Sequence, residues 1–223
     1  MKPTIVTLDG PAGVGKSTIA KRVAGALAIA YLDTGAMFRA VAFKLGAGSW
    51  SWPEDELRDG LQGLCFRLHG TGELSGLVVN EEFLDRSIRT EEVGMWASNL
   101  ARLPVVRDYL KEAQREIGLT ASLVAEGRDM GTVIFPQAAH KFFLDASIEE
   151  RARRRWLQLQ SMDRPADLEE IRAAIAERDE QDRNRPVAPL RPAEDAVVLD
   201  TSEMNKDEVF ATIMGHIRSK ADQ

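Results

Sequence analysis

Eight residues near the start of the chain, Gly10-Pro11-Ala12-Gly13-Val14-Gly15-Lys16-Ser17, constrain its fold more than any other stretch. They fit the pattern G-x-x-x-x-G-K-[ST] at every defined position. An apolar run, Thr4 to Leu8, precedes them. A run from Lys16 to Ala28 follows, with Ile19, Val23 and Leu27 at i, i+4 and i+8, the period of an amphipathic helix. Strand, glycine-rich turn and helix N-terminus, in that order, make an anion cradle. The glycines let backbone N–H groups wrap phosphates, and the helix N-terminus adds partial positive charge. Lys16, expected to be exposed in the loop, is placed to reach the β- and γ-phosphates of a nucleoside triphosphate, and the Ser17 hydroxyl to bind Mg2+. Gly10 to Ser17, with Thr18 beside them, are the expected ATP-binding residues. The competing reading, a glycine-rich turn without a ligand, leaves the flanking strand and helix unexplained.

The rest of the chain alternates apolar strands with amphipathic helices. That pattern predicts a doubly wound α/β fold, with a five-stranded parallel sheet covered by helices on both sides. Tyr31-Leu32 is a short strand, and Gly35 to Leu45 a helix that Thr34 is placed to cap. Leu57 to Leu64 has a helical pattern. Phe66 and Leu68 then alternate, Gly70-Thr71-Gly72 signals a turn, and Leu77-Val78-Val79 follows. This predicts a small antiparallel hairpin, so residues 60–90 are taken as an insert. Val93, Trp96, Ala97 and Leu100 mark a helix ended or kinked by Pro104, and Val106, Leu110, Ala113 and Ile117 the next. Ser122 to Ala125 and Phe142 to Leu144 are further strands. Ile148 to Gln160 is a helix carrying Arg151, Arg153, Arg154 and Arg155, followed by a polar break from Ser161 to Ala166. A helix from Leu168 to Arg183, a strand from Val197 to Leu199, and a helix with Val209, Ile213 and Ile217 complete the series.

Composition narrows the partners. The 223 residues are 44% hydrophobic, ample for one domain with a small insert. The formal net charge of −6 argues against a polymeric nucleic-acid partner, but not against a small anion met by locally gathered arginines. Cys65 is the sole cysteine, which excludes an intramolecular disulfide and a thiolate zinc site; it is expected as a small buried hydrophobe. The apolar run Val23 to Leu32 has about half the length of a membrane span, and four apolar residues after Met-Lys-Pro make no signal peptide. A cytoplasmic monomer without membrane partners is expected.

A phosphate cradle alone does not separate a kinase from a GTPase switch. The switch needs D-x-x-G, and no aspartate here has a glycine three residues on. It also needs N-K-x-D; Asn205-Lys206-Asp207 lacks that spacing and precedes a helix, so it reads as a helix cap. Transfer between two phosphates sets several negative charges together and calls for arginine forks. Arg39 lies one turn into the helix after Asp33-Thr34-Gly35, and Arg128 follows a buried strand in Glu126-Gly127-Arg128-Asp129, where a parallel sheet opens its ligand crevice. Arg178, Asp182 and Arg185 stand at i, i+4 and i+7; their spacing fits either a ligand-facing row or a solvated ion pair. Of Arg151 to Arg155, one or two are expected to act and the rest to be solvated. A phosphate acceptor is mostly dianionic at neutral pH, with its second pKa at about 6, so no base is required. Asp33 and Asp129 leave a hydroxyl acceptor open.

Beyond Leu8-Asp9-Gly10 to Thr18, four stretches resemble the bacterial cytidylate kinases: Leu32-Asp33-Thr34-Gly35-Ala36-Met37-Phe38-Arg39, Ile88-Arg89-Thr90-Glu91-Glu92-Val93, Glu126 to Pro136, and Arg178-Asp179-Glu180-Gln181-Asp182-Arg183-Asn184-Arg185-Pro186, with Phe143-Leu144-Asp145-Ala146-Ser147 between the last two. The glycine-arginine-aspartate and arginine-aspartate stretches carry the specificity of the likeness, which runs from about residue 4 to 218. The resemblance implies a P-loop NTPase core, a monophosphate-binding insert at residues 60–90, a lid at Gln158 to Ala166 (residues 158–166), and transfer from Mg2+-bound ATP to CMP or dCMP. It implies Thr34, Arg39 and Arg128 as acceptor-phosphate ligands, and Ser98, Arg107 and Asp129 as cytosine ligands. It also implies Arg178 and Asp182 as ribose ligands and Arg185 as a phosphate-side cation, with Lys16, Arg128 and Arg185 serving transfer. Phe38 departs from the family's usual tyrosine, and Asn80 to Arg86 from its usual acidic-Val-Ser stretch.

Overall fold

The computed structural model describes residues 3–84 and 86–221. The first two residues of the Met-Lys-Pro start, one residue of the Asn80 to Arg86 stretch (Asp85), and the last two residues lie outside the described residues. In chain order the elements are β1 (Ile5–Asp9), α1 (Lys16–Leu27), β2 (Ala30–Asp33), α2 (Thr34–Leu45), α3 (Glu54–Gln62), β3 (Phe66–His69), β4 (Gly76–Val79), β5 (Glu82–Phe83), α4 (Glu91–Leu100), α5 (Pro104–Thr120), β6 (Leu123–Gly127), β7 (His140–Asp145), α6 (Ile148–Gln160), α7 (Leu168–Asn184), β8 (Val197–Asp200) and α8 (Lys206–Ala221). A five-stranded parallel sheet runs in the order β2-β6-β1-β7-β8, as the alternating pattern predicts. The chain gathers into two compact units: residues up to Ile5 with Ala24–Glu126, and Val6–Val23 with residues from Gly127 on.

In the first unit β2 pairs with β6, Tyr31 opposite Val124 and Leu32 opposite Ala125, all four buried. Met37, Ala40 and Val41 bury one face of α2. Asp33, not Thr34, caps this helix, its carboxylate accepting from the Ala36 N–H at 2.9 Å. Thr34 is already helical, and its hydroxyl instead donates to the Glu126 carbonyl at 2.7 Å. The expected hairpin is present as β3 and β4, with β5 added as a third antiparallel strand. Cys65 is exposed rather than buried. It shares the outward parity of Arg67 while Phe66 turns inward, and its N–H is held by the Asn80 side chain at 2.7 Å. Pro104 starts α5 at its first position rather than ending a helix. The missing N–H is harmless there, because a helix's first N–H groups have no intrahelical acceptor.

In the second unit Leu8 faces Phe142 across β1 and β7, and Phe143 faces Val198 across β7 and β8. Ile19 and Val23 of α1 and Ile213 of α8 are buried with Leu8, Phe142 and Leu144. The Asn205 side chain accepts from the N–H groups of Asp207 and Glu208, the cap predicted for α8. α7 stops at Asn184, and Arg185 is extended (φ −63°, ψ 138°), so Arg185 does not continue the helical row that its spacing predicts.

Candidate active site

The cradle is built at the end of β1. Gly10 has φ +146°, and a Cβ there would lie 2.0 Å from the Leu144 carbonyl oxygen. Gly13 and Gly15 also have positive φ, at 80° and 95°. Only glycine takes this path without strain. α1 begins at Lys16, leaving Ser17 and Thr18 exposed in its first turn. Lys16 is 7% exposed, against the sequence expectation. Its ammonium donates to the carbonyls of Gly10 at 2.8 Å and Pro11 at 2.7 Å. The aliphatic stem is packed away, and the charge is aimed along the loop.

Two of the four α6 arginines grip the same loop. Arg151 is 2% exposed and makes a bidentate pair with Asp179 on α7, at 3.0 and 2.6 Å. It also donates to the Ala12 carbonyl at 3.1 Å and the Ala146 carbonyl at 3.0 Å. Arg154 reaches the Val14 carbonyl at 3.3 Å and the Thr201 carbonyl at 2.6 Å. Arg153 and Arg155 instead bond Glu150 and Gln158 of their own helix. The Arg153 and Arg154 guanidinium groups hold the Glu150 carboxyl below the usual carboxylate range.

A charged cluster in the same unit collects five of the predicted acceptor-side residues. Arg128 donates through Nε to Asp182 at 2.7 Å and through Nη1 to the Gly127 carbonyl at 3.3 Å. Arg185 stands 3.5 Å from Asp129 and 3.8 Å from Asp182. Burial alone would raise the Asp182 carboxyl, but Arg128, with Arg178 and Arg185, holds it below the usual range. Asp182 is therefore shared among three arginines, not the solvated partner of Arg178 alone that its i,i+4 spacing allows. Arg178 itself is exposed. Asp129 is buried, at the start of a π-helical turn, Met130–Ile134. Such turns are rare and recur at functional sites.

The remaining predicted residues lie in the first unit. Arg39 donates to the carbonyls of Thr90 at 3.1 Å and Ile88 at 3.4 Å. Arg107 is buried, donates to the Ala101 carbonyl at 3.3 Å, and places its guanidinium carbon 5.8 Å from the Phe38 ring centroid. The Phe38 ring supplies that cation–π contact without the tyrosine hydroxyl. Ser98 is half-buried on α4. Asp33 pairs with Arg89 at 2.8 Å.

A phosphate cradle and a cluster of arginines shared with two aspartates suit phosphoryl transfer to an anionic acceptor. The family model for cytidylate kinase matches residues 6–219. The chain belongs to the cytidylate kinase family. A cytidylate kinase of Maridesulfovibrio salexigens is 59% identical over 220 residues, 99% of each chain. One of Nitratidesulfovibrio vulgaris strain Hildenborough is 58% identical, over 97% of this chain and 93% of that one. One of Vibrio vulnificus is 44% identical, over 97% and 96%. Among solved structures, an uncharacterized protein from Eubacterium ventriosum has a TM-score of 0.53 at 14% identity, covering 98% of this chain and 99% of that one. That likeness shows the fold alone. No helix among the described residues is long and apolar enough to cross a membrane.

Within this cytidylate kinase family member, three supporting residues escaped the sequence reading. Asp9 and Asp179 lie inside quoted motifs but have partners more than twenty residues away. Gly94 sits within α4, and a Cβ there would lie 2.7 Å from Arg39 Nη1. A lone glycine inside a helical pattern was the available signal. Gly94→Ala is expected to displace Arg39 and raise the KM for the acceptor about 10-fold, leaving ATP affinity unchanged. Steady-state kinetics against both substrates check this; an unchanged acceptor KM removes Arg39 from the acceptor site.

Proposed function

We infer that the chain transfers the γ-phosphoryl of ATP to CMP or dCMP, giving ADP and CDP or dCDP. Family membership over nearly the whole chain carries this reading. We assign Thr34, Arg39 and Arg128 to the acceptor phosphate, Ser98, Arg107 and Asp129 to cytosine, and Arg178 and Asp182 to the ribose. Lys16, Arg128 and Arg185 then neutralise the charge that gathers between donor and acceptor during transfer. Because the acceptor oxygen already carries negative charge, no side chain has to remove a proton. Residues 60–90 serve as the monophosphate-binding insert and residues 158–166 as the lid, in a monomeric cytoplasmic enzyme.

Mg2+ fits the residues at hand. It characteristically takes one or two protein oxygens, substrate phosphates and water. The exposed Ser17 hydroxyl, in the first turn of α1, offers one such oxygen. Held there by the Ser17 hydroxyl, it would supply positive charge against the triphosphate.

Base choice rests on Asp129. Cytosine carries an amino donor at position 4, where uracil carries a carbonyl acceptor, and a buried carboxylate accepts from the amino group. Facing uracil, it meets a second acceptor. That mismatch is expected to cost about 2–4 kcal/mol, or about 30- to 1000-fold in kcat/KM. A coupled ADP-release assay should find CMP and dCMP good acceptors, UMP poor, and AMP and GMP too large. Asp129→Ala should bring the CMP/UMP ratio toward one. An unchanged ratio in that variant would leave Asp129 as a brace for Arg185. ATP binding without ADP release for any acceptor would identify a regulator instead, and turnover with shikimate or dephospho-coenzyme A a different kinase.

A further inference from the structure

Asp9 is the last residue of β1 and the chain neighbour of Gly10, where the phosphate cradle begins. Both its oxygens are committed to consecutive backbone N–H groups, Met130 at 2.9 Å and Gly131 at 2.7 Å. Those two residues open the π-helical turn that follows Arg128 and Asp129. The side chain is 4% exposed, so water does not compete for these bonds. Gly131 fits the same contact from the other side: a Cβ there would lie 3.0 Å from Thr7 Oγ1 and 3.4 Å from Asp9 Oδ2. On the cradle side, the next carbonyl along, that of Gly10, holds the Lys16 ammonium at 2.8 Å. A two-torsion side chain with both oxygens occupied is a short, stiff link between these two pieces of backbone.

We propose that Asp9 is a positioning residue, whose carboxylate fixes the Arg128–Asp129 turn in register with the phosphate cradle. The inference rests on the acceptor-side roles assigned above to Arg128 and Asp129. It goes beyond them in naming what holds those residues at the right distance from the transferred phosphoryl. Burial raises the Asp9 carboxyl to about 6, with the nearby Asp129 charge adding to the rise and the two N–H bonds and Lys16 opposing it. An ionised carboxylate here works against folding, so its presence needs a reason other than stability. The two N–H groups it orients supply one. A neutral amide in its place has one acceptor oxygen for two donors, and its own N–H groups face the second.

The test is steady-state kinetics with ATP and CMP on the full chain, using Asp9→Asn, Gly131→Ala, Arg128→Ala and the double variant Asp9→Asn/Arg128→Ala. Asp9→Asn should lower kcat/KM for CMP at least about 30-fold, while the ATP Kd measured without acceptor moves less than about threefold. In the double variant the losses should not multiply: it should fall within about threefold of Arg128→Ala alone, because Asp9 acts through the turn that carries Arg128. A purely structural role would give multiplicative losses and overturn the proposal, as would an Asp9→Asn enzyme with near-normal kcat/KM. If Asp9→Asn fails to fold, Gly131→Ala, alone and with Arg128→Ala, is read by the same criteria; failure of both to fold also decides for a purely structural role. An active Arg128→Ala enzyme overturns the acceptor-site reading and this inference with it. A crippled Arg128→Ala enzyme with multiplying losses overturns this inference alone.

Discussion

Lys16→Ala is expected to lower kcat/KM at least about 1000-fold, a loss of about 4 kcal/mol of transition-state stabilisation. The charge that moves in phosphoryl transfer lies on the β- and γ-phosphate oxygens, and a fixed cation beside them acts mostly in the transition state. The position of Lys16 supports an effect of this size. Its stem is buried and its ammonium is held on the Gly10 and Pro11 carbonyls, so little side-chain freedom is lost in turning it to a phosphate. The same burial gives the substitution a structural consequence that an exposed lysine would not have. Two carbonyls lose a charged donor, which lowers stability by about 1–3 kcal/mol. Kinetics must therefore be read beside thermal unfolding. The expected outcome is a folded protein, melting a few degrees lower, with most of the loss in kcat. Near-normal turnover in a folded variant would refute the triphosphate cradle.

The cradle was legible because its information is local. Eight consecutive residues, an apolar strand before and a helical period after are all within reach of one another along the chain. The five strands were legible for a similar reason, since a buried parallel strand is a run of apolar residues. β5 was not, because Glu82–Phe83 is too short to show any period. Side-chain fate was the least legible. Asp182 has an arginine four residues before it, and the spacing alone fits either a solvated i,i+4 pair or a ligand-facing row. Its shortest bond is to Arg128, 54 residues away, a partner set by the tertiary fold. The four α6 arginines are chemically alike, and only the placement of Asp179 and the Ala12 carbonyl distinguishes Arg151 from Arg153. Cys65 is read as buried from its residue type alone, although the Phe66 and Leu68 alternation already puts position 65 on the outward face. Thr34 differs because its helix starts one residue earlier than the pattern shows. A one-residue difference in where an element starts turns a side chain from one face to another, and boundaries are the weakest part of any pattern.

Arg151 and Asp179 carry the largest expected effect on stability. Each is nearly excluded from water, and each satisfies the other with two hydrogen bonds, at 3.0 and 2.6 Å. Removing either partner leaves a buried charge with no counter-ion, which is expected to lower the unfolding free energy by about 3–5 kcal/mol. For a chain of this length each kcal/mol moves the melting temperature by about 2–4 °C, so Arg151→Ala or Asp179→Ala should melt about 6–20 °C lower. Replacing both partners, as in Arg151→Met with Asp179→Leu, removes both desolvation penalties and should recover most of that loss. Recovery should be incomplete, because the Ala12 and Ala146 carbonyls still lose their donors, at about 1 kcal/mol each. Denaturant unfolding of the two single variants and the double gives the coupling directly. A double variant as unstable as the sum of the two singles would show that the pair is not coupled and that Arg151 is held by the two carbonyls. With the expected coupling, the double variant also separates fold from function. It keeps α6 packed on α7 while releasing Ala12 from the arginine, so ATP affinity should fall in a protein that is otherwise well folded. The Arg151–Asp179 pair would then hold the cradle's shape as well as the two helices.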